Sequence, residues 1–212
     1  MPERALPSLR RAAGATGIVV TVVASLGLRD PLASMASYTA ALMALNQIAP
    51  PLLLLALDRP GPRAARFLAA TLDPILAFTA FCTLSVAVSL PGIFEPTLAN
   101  ALYAAPLGLL ELGTGLMMWA QAMPATRQVH SAWRVALLLW IASVPMTAVA
   151  VVWMLSPDVL YTPYLDVICR WDVPPLVDQK WSGFAMFLAG IPMQLAAVWL
   201  LLGLSRARRD AI

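Results

Sequence analysis

Six stretches of this chain run almost without charge, and short polar breaks separate them: 12–28, 31–57, 67–90, 98–123, 135–156 and 181–205. Crossing a bilayer takes about 20 apolar residues. Core helices of a water-soluble domain are shorter and carry a charged face. The pattern predicts an all-α, polytopic transmembrane bundle of six spans, a single integral membrane domain over residues 1–212. The first stretch is the shortest, and a signal peptide is the competing reading. No clear small-x-small cleavage site follows it and a longer apolar stretch comes soon after, so a retained helix is expected.

Composition supports the class. Hydrophobic residues make up 60% of the 212 residues and charged residues 12%. Soluble domains have about 25% charged residues.

Charge placement predicts the topology. Eleven of the fourteen basic residues fall in alternate polar segments: Arg4, Arg10 and Arg11; Arg59, Arg63 and Arg66; Arg127 and Arg134; Arg206, Arg208 and Arg209. The remaining three, Arg29, Arg170 and Lys180, fall in the other segments. The positive-inside rule then places both termini in the cytoplasm, and the expected location is a bacterial cytoplasmic (inner) membrane. Arginines spread over four short segments are the footprint of insertion and of contact with anionic lipid headgroups, which argues against nucleic-acid binding.

The outer loop 157–180 is the longest polar segment, with Asp158, Asp166, Asp172 and Asp178 against Arg170 and Lys180. Tyr161, Tyr164 and Trp171 suit a membrane interface. This loop is either an interfacial segment with a short helix or a docking surface for a partner. Asp178 and Gln179 stand where it enters the last span, where an acidic side chain complements the helix dipole and can cap free N–H groups.

Two carboxylates fall at membrane depth. Asp73, followed by Pro74, reads as two turns into the third span, at headgroup level, within reach of Arg63 or Arg66. Glu111 lies near the middle of the fourth. Such a group ordinarily faces the bundle interior with a partner. It is either hydrogen-bonded to a neighbouring helix or part of a proton or cation pathway.

Soft metal ligands are scarce. Cys82 falls mid-span and Cys169 in the outer loop, too far apart in depth for a disulfide, which needs Cα atoms within about 7 Å. Methionine pairs share helix faces at Met35/Met43 and Met186/Met193, whereas Met117 and Met118 face different sides. Core gap-filling is the ordinary reading; a thioether Cu(I) site is the sharper one. His130 is the single histidine and lies in a polar break. No phosphate-binding glycine loop, nucleophile elbow, HExxH or CxxC occurs, so no enzyme is expected. Gly183 and Gly190 predict a close helix contact, and Pro50-Pro51 a break or kink in the second span.

Several short elements, in order, resemble the CtaG family of cytochrome c oxidase assembly factors. Ala49-Pro50-Pro51-Leu52-Leu53 is similar to that family's Ala-Pro-Pro-Leu-Leu. Leu90-Pro91-Gly92-Ile93-Phe94 resembles its Leu-Pro element, and Leu160-Tyr161-Thr162-Pro163-Tyr164 its Leu-Tyr-x-x-Tyr. Asp178 and Gln179, then Gly183, Met186, Phe187 and Gly190, fit its Asp-Gln segment and the run that follows. The resemblance implies a helical membrane protein that handles copper during biogenesis of a haem-copper oxidase.

The departures fall at the metal. Positions where the family carries histidine correspond here to Tyr38, Leu42, Ser89 and about Ala104 and Gly108. No copper ligand is therefore assigned, and no cofactor is expected. Two classes of function follow: an assembly factor that holds a partner subunit or delivers copper, and a non-catalytic accessory subunit that has lost metal binding. Membrane lipid and a haem-copper oxidase subunit are the expected partners. A transporter is a weaker third reading, since no inverted repeat or paired broken helices are visible.

Overall fold

The structure is a computed structural model; it describes residues 5–57, 73–99, 101–123, 126, 128–129, 131–165 and 171–209. Arg63, Arg66, Arg127, His130, Asp166, Cys169 and Arg170 lie outside the described residues. Every regular element among those described is helical.

The first helix, α1 (Ala5–Gly27), leans on α3 (Ala49–Ala56) through two glycines. A Cβ at Gly14 would lie 2.8 Å from Cβ of Ala56, and one at Gly17 would lie 3.0 Å from the Leu53 side chain. A 3₁₀ turn, Pro31–Ala33, leads to α2 (Met35–Met43), capped by Ser34, whose hydroxyl accepts from the Ser37 N–H.

The second span does not break at its prolines. Five residues, Ala44–Ile48, widen into a π-helical segment, and α3 follows directly with prolines in its first turn. The Ala49 N–H reaches back five residues to the Ala44 carbonyl. Proline has no N–H to give. Residues 50 and 51 are the donors that the Asn46 carbonyl would use in α and π registers, and both are proline. Widening the helix absorbs the ring clash, and the freed carbonyl turns to a neighbouring helix.

Next come α4 (Pro74–Ala87), a short α5 (Pro91–Ala99) and α6 (Ala101–Ala120). Asp73 does not lie two turns into the helix that follows it. It is the N-cap of α4, exposed, its Oδ1 accepting from the N–H groups of Ile75 and Leu76 at 2.9 Å each. Pro74 at the first helical position explains the shift: a helix begins well at proline, and the residue before it is pushed to extended geometry.

The longest pair completes the bundle: α7 (Ala132–Leu155) and α8 (Pro175–Arg209) pack along one another. A Cβ at Gly183 would lie 2.7 Å from the Ala150 carbonyl oxygen, so this glycine sets a close approach of the two backbones. Gly190 does not: its nearest neighbour, Thr147 Oγ1, is at an ordinary 3.6 Å. The last helix begins six residues before the expected span, because Pro174-Pro175 starts it.

Among the described residues, four helical segments are long and apolar enough to cross a membrane: Ser8–Gly27, Met35–Ala56, Ala132–Leu155 and Pro175–Gly203; Pro74–Ala87 is a shorter apolar helix. Met35, Met43, Met118, Met186 and Met193 are buried in the core, and Met117 is half-buried. Cys82 is a half-buried free thiol.

Candidate functional site

Two polar constellations interrupt the apolar interior. The first lies between the π-helical segment and α6. Glu111 is 1% exposed. Its Oε2 accepts from Asn46 Nδ2 at 2.6 Å, and the same amide nitrogen lies 3.2 Å from the Glu111 carbonyl. Asn46 Oδ1 accepts from Gln47 Nε2 at 2.6 Å, and Gln47 Oε1 accepts from Trp119 Nε1 at 3.3 Å. Gly115 seals this contact: a Cβ there would lie 2.4 Å from the Asn46 carbonyl oxygen, the one left without a helical donor. Glu111 Oε1 is buried and has no hydrogen-bond partner among the described residues.

This line of side chains is suited to locking helices together. Amides and indole donate through nitrogens that do not readily pass a proton on. A line of such groups holds helices in register and does not form a proton wire. Glu111 faces the bundle interior, as expected of a carboxylate at this depth. Its partner is an Asn–Gln pair, a signal present in the sequence as two adjacent amides within an otherwise apolar span.

The second constellation gathers at one end of the bundle. Asp178, in the first turn of α8, is 2% exposed. Its carboxylate accepts from Ser34 Oγ at 2.8 Å and from the backbone N–H groups of Met35 at 2.6 Å and Ala36 at 3.3 Å. It therefore caps the start of α2, a helix far away in sequence, while also standing at the positive end of its own helix. Gln179 is fully buried and works in the other direction. Its Oε1 accepts from the Leu160 N–H at 2.7 Å, and its Nε2 donates to the Asp158 carbonyl at 3.2 Å. The Asp-Gln pair thus ties α8 to the entry of α2 and to the exit of α7. Asp178 is not presented on a docking surface, since its oxygens are turned into the bundle; Asp172 and Trp171 are exposed.

Tyrosines close the same end. Tyr161 donates to the Ser89 carbonyl and Tyr164 to the Pro31 carbonyl, both at 2.7 Å. Both are buried, so their rings fold back over the bundle. Burial pushes the Tyr161 hydroxyl above its ordinary pKa, and nearby Glu95 adds to the shift. Glu95 holds Thr162 through its N–H at 2.9 Å and its hydroxyl at 2.8 Å. Tyr161 also packs against Phe94 and Trp153, and Phe94 against Tyr38.

That aromatic cluster bears on copper. Tyr38, Leu42 and Ala104 are buried core residues, and the Ser89 carbonyl is taken by Tyr161. At Gly108 a Cβ would lie 2.5 Å from the Leu28 side chain. The residues standing where the resemblance implies imidazoles do not fit a copper site. Among the described residues no three or more His, Cys, Asp or Glu side chains are grouped to hold an ion.

A family model described as cytochrome c oxidase caa3 assembly factor (Caa3_CtaG) matches residues 2–207, nearly the whole chain. No curated protein and no solved structure matches the chain.

Proposed function

The chain belongs to the cytochrome c oxidase caa3 assembly factor family, and from that premise we propose that it assists biogenesis of a haem-copper oxidase from within the bacterial cytoplasmic membrane, holding an oxidase subunit and not ligating copper through imidazoles. The family match over residues 2–207 carries the reading. The distribution of arginines and lysines supports a multi-pass protein with both termini cytoplasmic, which puts the Asp178 end of the bundle outside. The side chains at Tyr38, Leu42, Ser89, Ala104 and Gly108 favour a role without a histidine-bound metal. The expected activity is non-catalytic: positioning of a partner, with specificity set by surface complementarity.

Deleting the gene should lower oxidase activity and leave unassembled oxidase subunits in the membrane. Capture through a tag should recover those subunits during biogenesis, in less than equal amount relative to mature oxidase. Stoichiometric presence in the mature complex would instead establish an accessory subunit, the reading that the missing imidazoles also accommodate. Unchanged oxidase activity and no oxidase subunit in the captured fraction would overturn both.

A further inference from the structure

Thr21 and Ser25 stand one above the other on a single face of α1, and Arg29 follows in the turn just past its end. The coil continues tightly past Gly27, with Leu28 and Arg29 donating to the carbonyls of Ser25 and Leu26. This polar stripe lines a groove of about 360 Å³. The opposite wall is Leu45 with Ala105, Gly108, Leu109 and Leu112 of α6. Because Gly108 has no side chain, Leu28 can close down on α6 and form the floor. Polarity therefore varies across the groove: a cation at the rim and two hydroxyls below it on one wall, and hydrocarbon on the other.

We propose that this groove is a binding site for one anionic glycerophospholipid. Its phosphate pairs with the exposed Arg29 guanidinium, an arrangement that guanidinium geometry favours. The Ser25 hydroxyl, about one helical turn deeper, stands at the level of the glycerol esters and donates to their carbonyls. One acyl chain lies along Leu45, Gly108 and Leu112. Asp30, the residue after Arg29, does not line the groove.

The test uses full-length protein in mild detergent, offered equimolar phosphatidylglycerol and phosphatidylcholine with identical acyl chains; retained lipid is counted by native mass spectrometry. Wild type should retain one phosphatidylglycerol, preferred about fivefold over phosphatidylcholine, as one arginine at a headgroup allows. Arg29→Gln should erase the preference. Ala105→Trp, at an exposed wall position, should lower retention of both lipids while helical content by circular dichroism is unchanged. Leu109→Trp, 71% exposed, serves as a second filling variant if Ala105→Trp misfolds. Equal retention of both lipids by wild type, a preference that survives Arg29→Gln, or lipid retention untouched by groove filling would each overturn the proposal. So would loss of oxidase-subunit capture in the filled variants with lipid retention intact, which would assign the groove to a protein.

Discussion

The carboxylate of Asp178 accepts the backbone N–H of Met35 at 2.6 Å across 143 residues of sequence. One side chain thereby starts a helix to which it does not belong. Charge-assisted hydrogen bonds of this kind contribute about 1.5–3 kcal/mol each. Asp178→Ala should destabilise the protein by about 2–4 kcal/mol, and Asp178→Asn by less, since an amide oxygen still accepts. Asp172→Asn should be silent: Asp172 is exposed at φ 54°, a conformation asparagine tolerates. Chemical denaturation in detergent micelles checks the order, and equal effects at 172 and 178 would refute the capping role.

Glu111 and Asn46 form the buried lock. Glu111→Gln keeps an oxygen for Asn46 and should change stability by under about 1 kcal/mol. Glu111→Leu strips the amide of its close partner and should cost about 1–3 kcal/mol. Oxidase activity in cells should follow protein level in both variants. Normal protein with lost activity in Glu111→Gln would show that the carboxyl does chemistry and is more than a lock.

Two glycines two residues apart on α6 should respond in opposite ways. A Cβ at Gly115 would meet the Asn46 carbonyl oxygen at 2.4 Å and Asn46 Cα at 3.0 Å, both backbone atoms, whereas at Gly113 nothing lies within 4 Å. Gly115→Ala should destabilise by about 1–3 kcal/mol. Gly113→Ala should stabilise by about 0.5–1 kcal/mol, through helix propensity alone. Thermal melts of the two variants in one detergent decide it.

Sidedness is testable at described positions. In a background of Cys82→Ala and Cys169→Ala, a cysteine at Asp172 should react with an impermeant maleimide from outside intact cells. A cysteine at Arg10 should react only after lysis. The reverse pattern would invert the topology.

Much of the helical layout was legible, because an apolar stretch about 20 residues long has few other uses. The Asp178-Gln179 pair and the Gly183 contact were legible as residues, but their partners were not. Nothing local announces that Asp178 caps residues 34–36, or that Gln179 holds residues 158–160, since these bonds depend on how the helices close on one another. The helix start at Pro74, with Asp73 as its cap, was not legible, because apolar character carries across a helix start as easily as through a helix. Tyr161 and Tyr164 read as interfacial on residue type; only packing shows them turned inward. The fourth span gave Glu111 its depth, but Asn46 and Gln47 were passed over, although two adjacent amides in hydrocarbon must be answered somewhere.

The paired prolines have a consequence in time. The segment Met35–Ala56 leaves the ribosome with a carbonyl at Asn46 that its own helix cannot bond, beside two amide side chains. In hydrocarbon each unmet group costs several kcal/mol. The partner of the Asn46 amide, Glu111 on α6, is synthesised 65 residues later. Until then the second span is an unfinished surface, and it can rest only against water, the insertion machinery or another protein. Maturation of this bundle is therefore bound to an order of arrival: the span that is made early is completed late.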